Sequence, residues 1–315
     1  MTDAEASVYA VIVTYKPDLE TLERLLGATR SQVDGIVLVD NASGGNEETD
    51  NVISRSISVD IPVLLDSNIG LAAAQNLGVE RAREAGASHV LFLDQDSIPS
   101  PDMVRIMLNT MTEISDSGRL IGAVGARYQG VHAGNESFFV RFGWFKFKRV
   151  FCSRSDQKYV RADFLISSGT LVSITALDTV GPMDEQLFID HIDTDWFLRA
   201  NAKGLLSYGV CDAVMVHGLG EATYRVWFGR WRFVPKHKPF RYYYIYRNSL
   251  LLYRRPYAPV KWIINDIVRL VFIACFFPLF SDSRLDRFKM IARGVYHGVR
   301  GVRGATILPA DAGTS

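Results

Sequence analysis

Residues 88–97 read SHVLFLDQDS, an apolar run that stops on two carboxylates one residue apart, Asp94 and Asp96, with Gln95 between them. A short continuous apolar run closed by polar residues is the pattern of a strand buried on both faces. The pattern recurs three more times in the first 130 residues, so strands are predicted over 8–15 (VYAVIVTY), 35–41 (GIVLVDN), 62–66 (PVLLD) and 89–94. Between the first two, Leu19, Leu22, Leu25 and Leu26 recur at helical spacing behind Pro17 and Asp18, which suit a helix start. Residues 70–85 read as another helix, ended by Gly86. Short strands alternating with helices predict an α/β fold with a mainly parallel central sheet flanked by helices. Each strand stops on polar residues: Thr14 and Tyr15, Asp40 and Asn41, Asp66 to Asn68, Asp94 to Asp96. Ligands bind at the carboxyl ends of the strands in open sheets of this kind, so four such clusters predict a nucleotide site.

Beyond residue 130 the pattern changes. Residues 138–150, FFVRFGWFKFKRV, alternate aromatic and basic side chains, which predicts a strand with one apolar and one cationic face. A ligand platform and an ordinary half-buried hairpin are both open readings. Residues 163–174 read as a strand, 193–203 as a helix ended by Gly204, and 242–253 as a further helix. The expected division is a catalytic core over 1–235, its nucleotide-binding half at 1–130 and its acceptor half at 131–235, followed by a basic helical extension over 236–315.

Two carboxylates at a strand end repel each other unless a cation or donor stands between them, and a hard divalent ion accepts such oxygen ligands. Mg²⁺ or Mn²⁺ is therefore expected at Asp94 and Asp96, with solvated turn carboxylates as the alternative. No GxxxxGK[ST] phosphate loop is present, and the run from Ser67 to Gly70 is not a GxGxxG fingerprint, which weakens a nicotinamide oxidoreductase reading. Asn68, Gly70 and Asn76 put small and amide groups near a helix start, where backbone donors can face an anion or a ribose, or where they could simply cap the helix. A second acidic group follows at 184–196, DEQLFIDHIDTDW. Asp195 suits a cap or a buried ion pair with Arg199. Asp193 is the better candidate for a general base, since a carboxylate within hydrogen-bond reach of a reacting hydroxyl can take its proton as a bond forms. His217 closes the apolar run AVMVH and could complete a metal site or sit in the core.

Of the 315 residues, 48% are hydrophobic and 22% charged, the balance of a globular protein. Cys152, Cys211 and Cys275 lie far apart without a CxxC pair, so neither zinc nor a disulfide framework is expected, and a reducing compartment fits best. No secretory signal is expected at the first residues. The net charge of +1 hides an asymmetry: residues 225–303 hold 17 Lys or Arg against three Asp, a net of +14. Such a stretch seeks anions. The apolar run at 270–280, LVFIACFFPLF, is short of the ~20 residues that span a bilayer. Flanked by Trp262, Lys261, Arg284, Arg287 and Lys289, it suits an interfacial segment on an anionic membrane, and no nucleic-acid partner is expected. A core or dimer-interface helix is the competing reading, which leaves a homo-oligomer open.

With these residues assembled, 8–255 resembles the family 2 glycosyltransferases of GT-A fold, most of all the bacterial rhamnosyltransferases of polysaccharide, O-antigen and rhamnolipid synthesis that use dTDP-L-rhamnose. The resemblance is carried by VIVTYKPD, VDNAS, SNIGLAAAQNLG, LFLDQDS, FLISSG, MDEQLFIDHIDTDWFLRA, VMVHG and YYYIYRN, in that order. It implies that Thr14, Tyr15 and Asp40 hold the nucleoside, with Asn41, Asn68, Gly70, Asn76 and Gln95 around the sugar nucleotide, Asp94 on the ribose and Asp96 on the metal. Asp193 would be the base, His217 a ligand of metal or diphosphate, and Arg247 and Asn248 a contact to diphosphate or acceptor. Many members carry Glu-Asp before the helix, whereas here Ile192 precedes Asp193, so Asp190 could stand in for the missing carboxylate. The implied reaction is an inverting single displacement onto a glycan or lipid-linked acceptor, at the cytoplasmic face of the bacterial inner membrane. A UDP-sugar donor shares the fold, and a non-catalytic scaffold is the remaining alternative.

Overall fold

The computed structural model describes residues 6–44, 58–129, 137–144, 146–152, 157–216, 223–227, 231–235, 237–280 and 284–306. Strands β1 (Val8–Thr14), β2 (Gly35–Asp40), β3 (Ile61–Leu64) and β4 (His89–Asp94) pair in parallel in the order β3-β2-β1-β4. Register aligns their polar ends, with Thr14 opposite Asp40 and Val13 opposite Asp94. Because strand side chains alternate between faces, Val8, Ala10 and Ile12 of β1 join one core and Val11 joins the other. The first core is closed by helix α1 (Leu19–Arg30), capped by Asp18, and α3 (Met103–Asp116); the second by α2 (Leu71–Glu84) and α5 (Ile192–Ala202). The result is a sheet between two helical layers.

The remaining strands complete the sheet. They are β5 (Ile98–Pro99), β6 (Ile121–Gln129), β9 (Tyr159–Ala162), β10 (Thr170–Ser173) and β11 (Leu206–Val216). The order is β3-β2-β1-β4-β10-β6-β11-β5, with β9 also on β11, and β10 runs antiparallel between β4 and β6. Helix α4 (Ile174–Val180) leaves β10, and a 3₁₀ turn (Glu185–Leu187) precedes α5. Hairpins β7–β8 (Phe139–Phe142, Phe147–Val150) and β12–β13 (Thr223–Trp227, Trp231–Pro235) form two small sheets. The sequence after Pro235 forms α6 (Pro239–Leu252), α7 (Val260–Phe280) and α8 (Arg284–Arg300).

Two expectations are corrected and one open alternative is decided. Residues 163–174 are not one strand: β9 ends at Ala162, and the chain turns at 167–169, with Gly169 at φ +69°, before β10 starts at Thr170. Aliphatic residues on both sides of that turn hid it. Residues 138–150 are a hairpin, whose Phe139 is buried while Arg141, Lys148 and Arg149 face water. Cys152 and Cys211, 59 positions apart, form a disulfide that ties the chain after this hairpin to β11. Spacing along the chain could not reveal a pair that only the sheet brings together.

Candidate active site

The carboxyl ends of β1, β2 and β4 meet in one cluster held by side-chain bonds. Thr14 Oγ1 donates to Asp40 Oδ1 at 2.8 Å inside the protein. Ser43 gives its N–H to Asp40 Oδ2 at 2.8 Å and its hydroxyl to Oδ1. The Asp40 carboxylate thus fixes the turn after β2, and Ser43 Oγ in turn accepts Lys16 N at 2.8 Å. Gln95 Oε1 accepts Tyr15 N at 2.8 Å, which joins the loops after β1 and β4. Asn41 exchanges bonds with the chain before α2: its Nδ2 donates to Asn68 Oδ1 at 3.1 Å and its Oδ1 accepts Ile69 N at 2.9 Å. Asn68 Oδ1 also accepts Gly70 N at 3.0 Å. Asp94, Gln95 and Asp96 are half-buried at the rim.

Asp193 sits in the first turn of α5, half-buried, and accepts its neighbour Thr194 N at 2.7 Å. Burial raises its pKa to about 6; the Thr194 N–H opposes that rise, and the charges of Asp190 and Asp94 add to it. The charge of Asp94 reaches Asp193, so the DxD turn and the acidic segment lie near each other. Asp190 differs, because Arg241 grips it with Nη2 at 2.6 Å and Nε at 3.3 Å. Asp195 is fully buried, paired with Arg199 Nε at 2.9 Å and accepting the Tyr257 hydroxyl at 2.5 Å, as a structural ion pair should. His191 is held near neutral-only chemistry, its pKa lowered to about 4 mainly by burial, and its Nε2 lies 3.0 Å from Ser249 Oγ and 3.1 Å from Arg269 Nη2. A cavity of about 450 Å³ opens beside Asp193. Its walls come from the β7–β8 hairpin (Phe147, Arg149), from Phe164, and from the C-terminal helices (Ile245, Trp262, Arg269).

The structure brings Thr14, Tyr15, Asp40, Asn41, Asn68, Gln95, Asp94 and Asp96 to one edge of the sheet, with Asp193 across the cleft. Gly70 stands at the start of α2 at φ +90°, and a Cβ there would lie 2.5 Å from the Phe188 ring. Asn76 is turned elsewhere: it braces α2 to the 3₁₀ turn through Met183 O (3.0 Å), Met183 N (2.8 Å) and Glu185 (2.9 Å). Arg247 and Asn248 are fully buried and hydrogen-bonded to the 186–190 segment, so their placement does not meet the expectation of a contact to diphosphate or acceptor. A polar motif in a helix cannot say whether its donors face a ligand or a loop. His217 lies outside the described residues. Sequence reasoning missed Tyr128, which gives its hydroxyl to Ser168 O at 2.6 Å and whose pKa is raised by burial, then by Asp94 and Asp193. Ser168 Oγ accepts Asp94 N at 3.0 Å and donates to Ser97 at 2.7 Å, so the SSG turn supports the DxD turn.

The donor set suits a hard cation. Asp94 and Asp96 offer carboxylate oxygens at an open rim, and among the described residues no group of three His, Cys, Asp or Glu surrounds a common point. An ion there would complete its shell with diphosphate and water oxygens.

Comparison with known proteins agrees with the geometry. Residues 9–173 match the model of glycosyl transferase family 2. The chain is 29% identical over 303 residues to the dTDP-rhamnosyl transferase RfbF of Shigella flexneri, covering 95% of this chain and 97% of that one. Among solved structures, S. aureus TarS 1-349 in complex with UDP-GlcNAc superposes with a TM-score of 0.57 at 14% identity, over 94% of this chain and 81% of that chain. GalNAc-T7 with UDP, GalNAc and Mn²⁺ gives 0.57 at 16% identity, over 68% of this chain and 44% of that chain. These likenesses establish the GT-A fold. With the family match across half of the chain, the protein belongs to glycosyl transferase family 2 and is a glycosyltransferase.

Proposed function

We propose that the protein transfers L-rhamnose from dTDP-L-rhamnose to a hydroxyl of a glycan or lipid-linked acceptor, by one inverting displacement with Asp193 as general base. The observation that carries the reading is Asp193 itself: a carboxylate with a pKa near 6, beside a 450 Å³ cavity and within electrostatic reach of Asp94. A base is most effective when its pKa lies near the working pH. The donor assignment is supported by the name of the Shigella relative, whose likeness spans nearly the whole chain.

In this reading Tyr15 and the loops that buried Thr14 and Asp40 hold in place bind the nucleoside, and Asp94 the ribose. Asn41, Asn68 and Gly70 shape the loop and helix start beside the sugar nucleotide. Asp96 holds Mg²⁺ or Mn²⁺, which when bound neutralises the charge that grows on the leaving diphosphate. The acceptor hydroxyl gives its proton to Asp193 Oδ while its oxygen attacks the anomeric carbon from the face opposite the nucleotide. Phe147, Phe164 and Trp262 line the cavity beside charged Arg149, Asp266 and Arg269.

An anionic membrane as partner, at the cytoplasmic face of the bacterial inner membrane, is supported by the C-terminal helices. No helix among the described residues is long and apolar enough to cross a membrane. Ile267, Val268, Val271 and Phe272 of α7 and Leu285 and Phe288 of α8 are nevertheless exposed, beside exposed Lys289 and Arg293. That mixture suits a helix pair lying among anionic headgroups. Self-association through this face would set like charges against one another.

The donor is tested with purified protein, Mg²⁺ or Mn²⁺ and a panel of sugar nucleotides, reading nucleotide release and thermal stabilisation. Turnover with dTDP-L-rhamnose is expected; turnover with a UDP-sugar alone would overturn the donor. Flotation with anionic vesicles should weaken as salt rises, and equal binding to neutral vesicles would count against the membrane surface.

A further inference from the structure

We propose that Arg247 and Asn248 are positioning residues for the base: they hold residues 186–191 in the backbone conformation from which α5 presents Asp193 to the cleft. The proposal rests on the reading of Asp193 as the base. It starts from a strained stretch. Phe188, Asp190 and His191 have φ of +66°, +62° and +63°, and α5 begins directly after them. Each non-glycine residue in that region costs roughly 1–2 kcal/mol. Three within four positions persist only if the surroundings hold them.

The holding groups are consecutive on α6. Asn248 Nδ2 shares its two hydrogens among the carbonyls of Leu187 (3.0 Å), Ile189 (2.8 Å) and Asp190 (2.9 Å). Arg247 Nη2 donates to Leu187 O at 2.9 Å and Gln186 O at 3.3 Å, and its Nε orients the amide through Asn248 Oδ1 at 2.9 Å. Ser249, the next residue, meets His191 Nε2 at 3.0 Å. Leu187 O also accepts Ile189 N at 2.8 Å, whereas the carbonyls of Ile189 and Asp190 are bonded by the Asn248 side chain. Removing Asn248 would take that donor from both carbonyls at once, in a part-buried setting where a lost hydrogen bond is costly.

Two further contacts make the clamp more than local. Arg247 Nη1 donates to Gly304 O at 2.5 Å while Gly304 N donates to Gln186 O at 2.7 Å, so the chain after α8 straps the same segment. On the opposite side Phe188 O accepts Leu71 N at 2.8 Å, and the Phe188 ring lies against Gly70. The segment that sets the base is therefore the one against which the start of α2 is packed. Rotating any left-handed residue back would swing the first turn of α5 and move Asp193 relative to Asp94.

The test compares Asn248→Ser and Arg247→Lys with Leu252→Ala, a buried change on the same helix that spares the clamp. Steady-state rates and kcat/KM against pH are measured on folded protein with dTDP-L-rhamnose and the acceptor that supports turnover. The clamp variants should lose ~10- to 100-fold in kcat with donor KM unchanged, because a displacement of about 1 Å costs rates of that order. Their acid limb should move from about 6 towards the ordinary carboxylate range as water reaches Asp193. Leu252→Ala should lower the melting temperature without moving the limb. Should Asn248→Ser fail to fold, Arg247→Lys gives both readings. Clamp variants that fold and keep the parental kcat and limb, or match Leu252→Ala, would overturn the proposal. Asp193→Asn in the parent separates the two ideas, since full activity there would sink the base and leave the clamp without an object.

Discussion

The two sides of the cleft are built in opposite ways. The strand-end side relies on short-range order: parallel register aligns Thr14 with Asp40 and Val13 with Asp94, and bonds within the loops fix the polar residues. The acidic side relies on long-range restraint. Asp190 is gripped by Arg241, 51 positions away, and a left-handed backbone is pinned by α6 and by the chain after α8. A nucleotide site can be made from a repeated local pattern, whereas setting the pKa of a base needs neighbours from distant parts of the chain.

The comparison is broken most severely at Asp193. Asp193→Asn keeps the size of the side chain but cannot accept a proton, so transfer should fall ~10²- to 10⁴-fold with donor affinity retained. Asp190→Asn should fall less. Indispensable Asp190 with a nearly active Asp193→Asn would reverse the two roles. On the other side, Asp96→Ala should cost about 10²- to 10³-fold in rate together with metal-dependent donor binding, measured by titration with and without Mg²⁺. Retention of that binding would break the metal assignment.

Two smaller effects sharpen the contrast. Because Asp193 must be deprotonated to act and its pKa is about 6, kcat/KM should fall about tenfold per pH unit below that value, and this limb should vanish in Asp193→Asn. The same shift bears on stability. A carboxyl whose folded pKa lies above its unfolded value of 3.8 favours the protonated folded form, so folding stability falls as pH rises from about 4 to about 6. At pH 7 Asp193→Asn should therefore stabilise the fold by about 1–2 kcal/mol, read as a raised melting temperature. A lowered one would mean that the carboxylate is a structural anchor.

The strand-end side was legible because buried parallel strands are continuous apolar runs and their polar closures fall at one edge by topology. Less was legible where chemistry depends on facing. The SSG turn at 167–169 was hidden among aliphatic residues, although it carries Ser168 under Asp94. Arg247 and Asn248 entered through the YYYIYRN resemblance, and the same letters serve a diphosphate or a set of carbonyls. The pairing of Cys152 with Cys211 had no signal in spacing.

The sequence by itself determined the α/β architecture, the edge on which the polar strand ends gather and the identity of Asp94, Asp96 and Asp193 as the carboxylates to watch. Periodicity and strand length are local properties, read from neighbours along the chain. Only the tertiary structure decided which acidic residue of this segment the proposal casts as the base. Asp190 received Arg241 and Asp195 received Arg199 and Tyr257, while Asp193 is in no ion pair among the described residues. A carboxylate's affinity for a proton is set by the charges and the water around it, and both arrive through folding.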